Sequence, residues 1–311
     1  MNEAVLNEHL RAARLLDAQA KAAELFAAIE TRGIIAPGIR EVEASNEIRD
    51  LAAGMFGVDR YWHKRIVRAG PNTLQPYREN PPDRAIADDD IVFCDFGPIF
   101  EQWEADFGRT FVLGHDPVKL RLRNALPVIF DAGRRFFEAR PDVTGEQLYA
   151  HMVGLASEAG WEFGGSIAGH LVGEFPHEKI NGAEIESYIA PGSDQPMRRH
   201  DRAGQICHWI LEVHLTDVGR HFGGFFEELL DLGHPARSAL VRLAWLVLVG
   251  EHRGQRGHRR VDGHPGGQRV RVGPVGFAQG DAVEGDLSVV LGGLKFARRF
   301  LQRRAAALRF V

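Results

Sequence analysis

The chain has 311 residues, 44% of them hydrophobic, and carries 38 Lys and Arg against 42 Asp and Glu for a formal net charge of −4. That length is enough to bury a large core, and the composition fits a soluble enzyme. The longest apolar run, residues 243–249, falls far short of the ~20 residues needed to cross a bilayer, so no membrane partner is expected. Met1-Asn2-Glu3-Ala4 lacks a basic region followed by an apolar stretch, and two cysteines, Cys94 and Cys207, make no disulfide framework. Both features point to a reducing, cytoplasmic location.

Taken in chain order, residues 6–30 carry apolar side chains at helical spacing among many alanines, and residues 41–55 repeat that character after the breaker Ala36-Pro37-Gly38. Residues 91–96 and 103–112 read as two strands of a hairpin. A reversal between Phe100 and Glu101 sets Asp95 opposite Asp106. Residues 117–139 form a helix with Asp116 as N-cap and proline at its first position. Thr144-Gly145-Glu146-Gln147 has the form of a capping box, opening a helix that ends near Ala159. Residues 189–196 are a loop. Residues 208–215 and 222–230 make a second hairpin, and a reversal between Gly219 and Arg220 sets Glu212 opposite Glu227. Helices outside a curved antiparallel sheet define an α+β domain.

Paired strand residues point to one face with Cβ atoms about 4.5–5.5 Å apart. Facing carboxylates destabilise a sheet and raise one another's pKa unless positive charge lies between them, and a divalent cation supplies it. Taken as ordinary solvated acids, either pair alone is unremarkable. Two pairs of matching parity with a histidine motif between them are not. That motif is Gly169-His170-Leu171-Val172-Gly173-Glu174-Phe175-Pro176-His177-Glu178. Its spacing differs from the HExxH of helical zinc proteases, and glycines on both sides of His170 allow close approach to a ligand. Asp95, Asp106, His170, Glu212 and Glu227 make an oxygen-rich set suited to two ions of the Mn, Co, Fe or catalytic Zn kind. His177 is placed to donate to the reacting group. Cys94, adjacent to Asp95, turns to the opposite face and packs.

The order Asp95, eleven positions on Asp106-Phe107-Gly108-Arg109-Thr110-Phe111, then Gly169-His170, a following His177-Glu178, and two strand glutamates resembles the pita-bread metallopeptidases. That family holds methionine aminopeptidase, Xaa-Pro aminopeptidase, prolidase and creatinase, and the Arg109-Thr110 pair is most similar to the Xaa-Pro branch. The similarity spans roughly residues 5–232. It implies a fold of two pseudo-symmetric halves, with Asp106 and Glu227 bridging two metals held by the five residues named. It implies hydrolysis of a small peptide by a metal-activated water, Glu212 shuttling the proton and His177 stabilising the oxyanion. Two positions depart from the pattern. Gly108 stands where Thr or Ser is usual, and Tyr77 stands where the peptidases place a substrate-binding histidine. Upstream, His63 and Tyr61 are alternatives for that role. His214 shares a strand face with Glu212 and is a neighbour of the substrate.

Residues 233–311 differ in character. They hold 13 Arg and one Lys against five acids and show no sustained periodicity. The catalytic domain is therefore expected over 1–232, followed by a basic, Gly/Arg-rich extension that packs poorly. A basic tail can touch nucleic acid, but arginine almost without lysine reflects base composition, and no nucleic-acid partner is expected. A homodimer stays open. Three functions fit: an Xaa-Pro exopeptidase or dipeptidase, a creatinase-like hydrolase of a non-peptide C–N bond, and a binding module that retains the fold without turnover.

Overall fold

Two helices, α1 (Glu3–Arg32) and α2 (Glu41–Phe56), open the chain on either side of the Pro37-Gly38 breaker, where the apolar spacing places them. The computed structural model describes residues 3–75, 77–177 and 184–232, so the expectation for residues 233–311 lies outside the described residues. Then come β1 (Ile66–Ala69), β2 (Ile91–Phe96), the short β3 (Ile99–Phe100) and β4 (Trp103–Glu104), and β5 (Phe107–Val112). Two further helices follow, α3 (Pro117–Glu138) and α4 (Gly145–Glu158). Asp116 caps α3 by accepting from the Val118 and Lys119 amides at 2.7 and 3.2 Å. Thr144 and Gln147 exchange side-chain and backbone hydrogen bonds, each of 3.2 Å, at the start of α4. Both caps were legible in the sequence, and each satisfies amides that the helix itself leaves unpaired.

The chain ends its described part with β6 (Glu162–Phe163), β7 (Leu171–Val172), β8 (His208–Asp217) and β9 (Phe222–Leu229). The main sheet is antiparallel in the order β1-β2-β5-β9-β8-β6, with β7 paired to β8 off that path. It divides into two three-strand halves that meet where β5 lies beside β9. One half carries α1 and α2, whose Leu25, Ile29, Ile48 and Leu51 pack with Val92, Cys94 and Phe96 of β2. The other carries α3 and α4, whose Leu126, Ile129, Leu148 and Met152 pack with Leu211, Val213 and Phe226. Each such fully buried large side chain contributes about 1.5–3 kcal/mol, so both halves are held by their own helical layer. Cys94 is buried in the first of these layers, facing away from Asp95.

Register decides what the opposite face presents. On β8 and β9, Glu212 pairs with Glu227, as the sequence predicts. On β2 and β5 the expected pairing of Asp95 with Asp106 is wrong. Asp95 pairs with Gly108, and the small β3–β4 hairpin pairs Phe100 with Trp103, so the reversal falls between Glu101 and Gln102. Nor do residues 103–112 form one strand. Ala105 and Asp106 interrupt it between β4 and β5. The slip is two residues, so every side chain keeps its face. Gly108 in turn pairs with Glu227. Asp95, Gly108, Glu227 and Glu212 therefore lie in one row across four adjacent strands, with Asp106 two residues along the chain from Gly108.

Candidate metal centre

All five predicted ligands converge on that row. His170, just before β7, reaches Asp106 Oδ2 at 3.0 Å through Nε2, and the same nitrogen lies 3.7 Å from Glu212 Oε1 and 3.9 Å from Glu227 Oε1. Asp106, His170 and Glu227 form one group with ligand atoms close enough to share an ion. A second group is Asp95, Asp106 and His63. His63 Nε2 lies 3.0 Å from Asp106 Oδ1 and 3.4 Å from Asp95 Oδ1. Asp106 belongs to both, which suits a bridging carboxylate.

The charges fit a cation. Burial, with the Asp106 charge added, pushes Asp95 up to about 7 against the opposing pull of His63. Glu212 is pushed up to about 8 by burial and by the charges of Asp106 and Asp95, with His170 opposing. Glu227 is driven well above the usual carboxylate range by burial and by Asp106, Asp95 and Glu212. Burial acts the same way on Asp106, but the imidazoles of His63 and His170 outweigh it and hold that carboxyl below its ordinary value. Burial lowers both imidazoles, yet Asp106, with Asp95 and Glu212 respectively, lifts His63 and His170 to about 9. Among the described residues, Asp95 Oδ1 and Glu227 Oε2 are buried without a hydrogen-bond partner. Buried carboxylate oxygens normally find partners, and a divalent ion offers one to each. The donor set, oxygen-rich with imidazole, matches such ions.

Other predicted residues take distinct places. The Nδ1 of His177 is bonded to Glu104, a fully buried acid on β4, and its ring stacks 6.2 Å from that of His170. Trp62 packs its indole against His63, His170 and His177, at centroid distances of 4.5, 5.0 and 5.4 Å. Tyr77 is half exposed, its ring 5.8 Å from that of His63. Tyr61 is partly buried against Phe96 and under the Arg65 guanidinium. His214 does share the Glu212 face, but its Nε2 donates to the Thr73 carbonyl at 2.8 Å and its ring lies between Phe93 and Phe225. Gly108 has a physical reason to lack a side chain. A Cβ there would overlap the Phe225 ring and stand 3.1 Å from Glu227 Cβ. Thr110 supplies the support instead, its hydroxyl donating to the Phe225 carbonyl and accepting from the Phe225 amide, at 2.8 and 2.7 Å, across the seam between the halves.

Sequence reasoning missed Glu104 and Trp62 and gave His63 only an alternative role. Glu104 had a signal, a carboxylate in the apolar run that begins at Trp103. Trp62 had none, since an aromatic before a short strand is ordinary.

Residues 13–219 match the model of metallopeptidase family M24. The chain belongs to that family. Within it, the chain is similar to an Xaa-Pro dipeptidase of Pyrococcus horikoshii, at 26% identity over 156 residues that cover 50% of this chain and 42% of that protein. It is also similar to a putative Xaa-Pro aminopeptidase of Mycoplasma pneumoniae, at 30% identity over 90 residues covering 29% and 25%. This chain thus spans less than half the length of the curated relatives it matches. Among solved structures of the family, an X-Pro aminopeptidase from Thermotoga maritima superposes with a TM-score of 0.56 at 19% identity, covering 74% of this chain and 62% of the other. An Xaa-Pro dipeptidase from Bacillus anthracis gives 0.54 at 23% identity, covering 71% and 59%. These likenesses establish the pita-bread fold of the family.

Proposed function

We propose that the chain is a metal-dependent exopeptidase of the Xaa-Pro aminopeptidase or dipeptidase type, acting on small peptides with two divalent ions of the Mn, Co, Fe or Zn kind. The observation that carries this reading is the convergence of Asp95, Asp106, His170, Glu212 and Glu227 on one face, with buried oxygens of Asp95 and Glu227 that have no hydrogen-bond partner among the described residues. Asp106 and Glu227 would bridge, with Asp95 on one side and His170 and Glu212 on the other. When bound, the ions supply Lewis acidity and an acidified water.

The protein's own groups do the rest. Glu212 is the most open of the five, its side chain 16% exposed against 2% for Glu227 and 3% for Asp106, so it is the carboxylate best placed to take a proton from water and return it to the leaving amine. His177 has Nδ1 held by Glu104, and with both ring nitrogens protonated its Nε2–H would donate to an oxyanion developing on the scissile carbonyl. Tyr77 supplies a hydroxyl at the mouth, where the peptidases of the family present a histidine. A tyrosine there also suits a creatinase-like hydrolase, and that is the second reading. A cytoplasmic peptidase is the setting that the sequence favours.

The test is metal analysis of the purified chain followed by assays of Xaa-Pro dipeptides and longer Xaa-Pro peptides, with and without chelator. Bound metal with chelator-sensitive hydrolysis is the expected result. Metal without peptide hydrolysis shifts the reading to a non-peptide C–N bond. A chain that takes up no metal is a binding module, and the proposal falls.

A further inference from the structure

Resting on the dinuclear reading of the site, we propose that His63 is a sixth protein ligand, so that each of the two ions carries its own imidazole. The two histidines are mounted in the same way. His170 donates its Nδ1 hydrogen to the carbonyl of the next residue, Leu171, at 2.7 Å, and turns Nε2 to Asp106 Oδ2 at 3.0 Å. His63 donates its Nδ1 hydrogen to the carbonyl of its own next residue, Lys64, at 2.6 Å, and turns Nε2 to the other oxygen, Asp106 Oδ1, at 3.0 Å. Donation from one ring nitrogen to a backbone carbonyl fixes the tautomer and presents the other lone pair, the usual mounting of a metal-binding imidazole. Two donors held about 2.0–2.2 Å from one ion sit roughly 3.0–3.5 Å apart. The 3.0 and 3.4 Å from His63 Nε2 to Asp106 and Asp95 fall in that range.

The fold makes room for this ring. The Trp62 amide donates to the Gly97 carbonyl at 3.0 Å and Tyr61 bridges to Pro98, which pins residues 61–63 alongside the end of β2. At Gly97 itself a Cβ would collide with both the His63 and Trp62 rings. The approach therefore depends on a glycine immediately after the strand that bears Asp95. With its side chain 2% exposed, His63 is less open than Glu212, which is poor placement for a residue meant to greet substrate. An added nitrogen on the Asp95 side moves that site away from oxygen-only coordination and toward Co²⁺, Ni²⁺ or Zn²⁺.

Co²⁺ titration of the metal-free full-length chain, read by visible absorption and by calorimetry, tests this. The parent should take two equivalents. His63→Ala and His63→Gln should each weaken one equivalent by at least about tenfold and leave the other in place, while His170→Ala weakens the other equivalent. Gly97→Ala, which displaces the ring without removing it, should reproduce the His63 variants and keeps the test open if His63→Ala fails to fold. Two equivalents bound as tightly in the His63 and Gly97 variants as in the parent would overturn the assignment, with or without a change in KM, and leave the dinuclear reading standing. A parent that binds no Co²⁺ would bring down both.

Discussion

The two hairpins that carry the acids solve one problem in different ways. In the second half, β8 and β9 run unbroken past the site, and Glu212 faces Glu227 across a regular ladder. In the first half the ladder stops. β2 ends at Phe96, the chain makes the small β3–β4 excursion, and Asp106 sits between strands with no partner on β2. What the break accomplishes is visible beside it, where Gly97 leaves open the space that the His63 ring fills. A continuous ladder places carboxylates by register alone. An interrupted one lets a third segment deliver an imidazole among them.

The largest effect that this difference predicts concerns Asp106. It touches both imidazoles and belongs to both ligand groups, whereas Glu227 belongs to one. Asp106→Asn should lose both metal equivalents and lower kcat/KM by at least about 10³-fold, the scale on which groups that work as a unit fail together. Glu227→Gln removes the other proposed bridge but leaves Asp106 with both imidazoles in place, and should retain one equivalent. Metal analysis alongside the hydrolysis rate checks both, and equal metal loss in the two variants would show that the halves are equivalent after all.

A smaller effect belongs to the residue behind His177. Glu104 is fully buried and holds the His177 ring, yet none of its described contacts is to a metal ligand. Glu104→Gln should lower kcat by about 10–100-fold, as expected for loss of an orienting partner, with the Co²⁺ stoichiometry unchanged. Loss of metal from this variant would mean that Glu104 supports the ligands themselves, and an unchanged kcat would remove His177 from the reaction.

The same contrast explains what could be read from the sequence. The second hairpin was legible in full because its turn, Asp217 to His221, is short and its two strand-like runs continue without interruption on either side. In the first, the reversal was placed one residue early, and the pairing slipped by two. The faces survived because strand alternation has a period of two, so the ligands were found although their partners were not. β1 went unread, since four residues with an arginine among them carry little pattern. Its pairing of Ile66 with Asp95 is what brings His63 to the site, and a contact made by long-range pairing leaves no local trace. Glu104 was hidden for a related reason, because an acid in an apolar run reads as exposed until its partner, 73 residues on, is known.

The smallest effect lies away from the metals, where the first helix meets the second half. His208, at the start of β8, stands between Glu8 of α1 at 2.8 Å and Asp231 at 2.6 Å, while Arg11 takes the other oxygen of Glu8 at 2.6 Å. Burial lowers the affinity of this imidazole for a proton, but Asp231 and Glu8 outweigh it and raise the pKa. A histidine raised above its unfolded value of about 6.5 stabilises the fold fully below that pH and loses the contribution as pH climbs through the folded value. His208→Gln should therefore melt below the parent by about 2–4 °C at pH 5.5, on the order of 1 kcal/mol for a chain of this size, and the gap should narrow as pH rises through the raised value. Thermal melts of both proteins in chelator, where the metal site titrates alike in each, isolate the difference. A gap that stays constant or widens with pH would mean that the imidazole is neutral where it sits, and that α1 is tied to the second half by packing rather than by this charge.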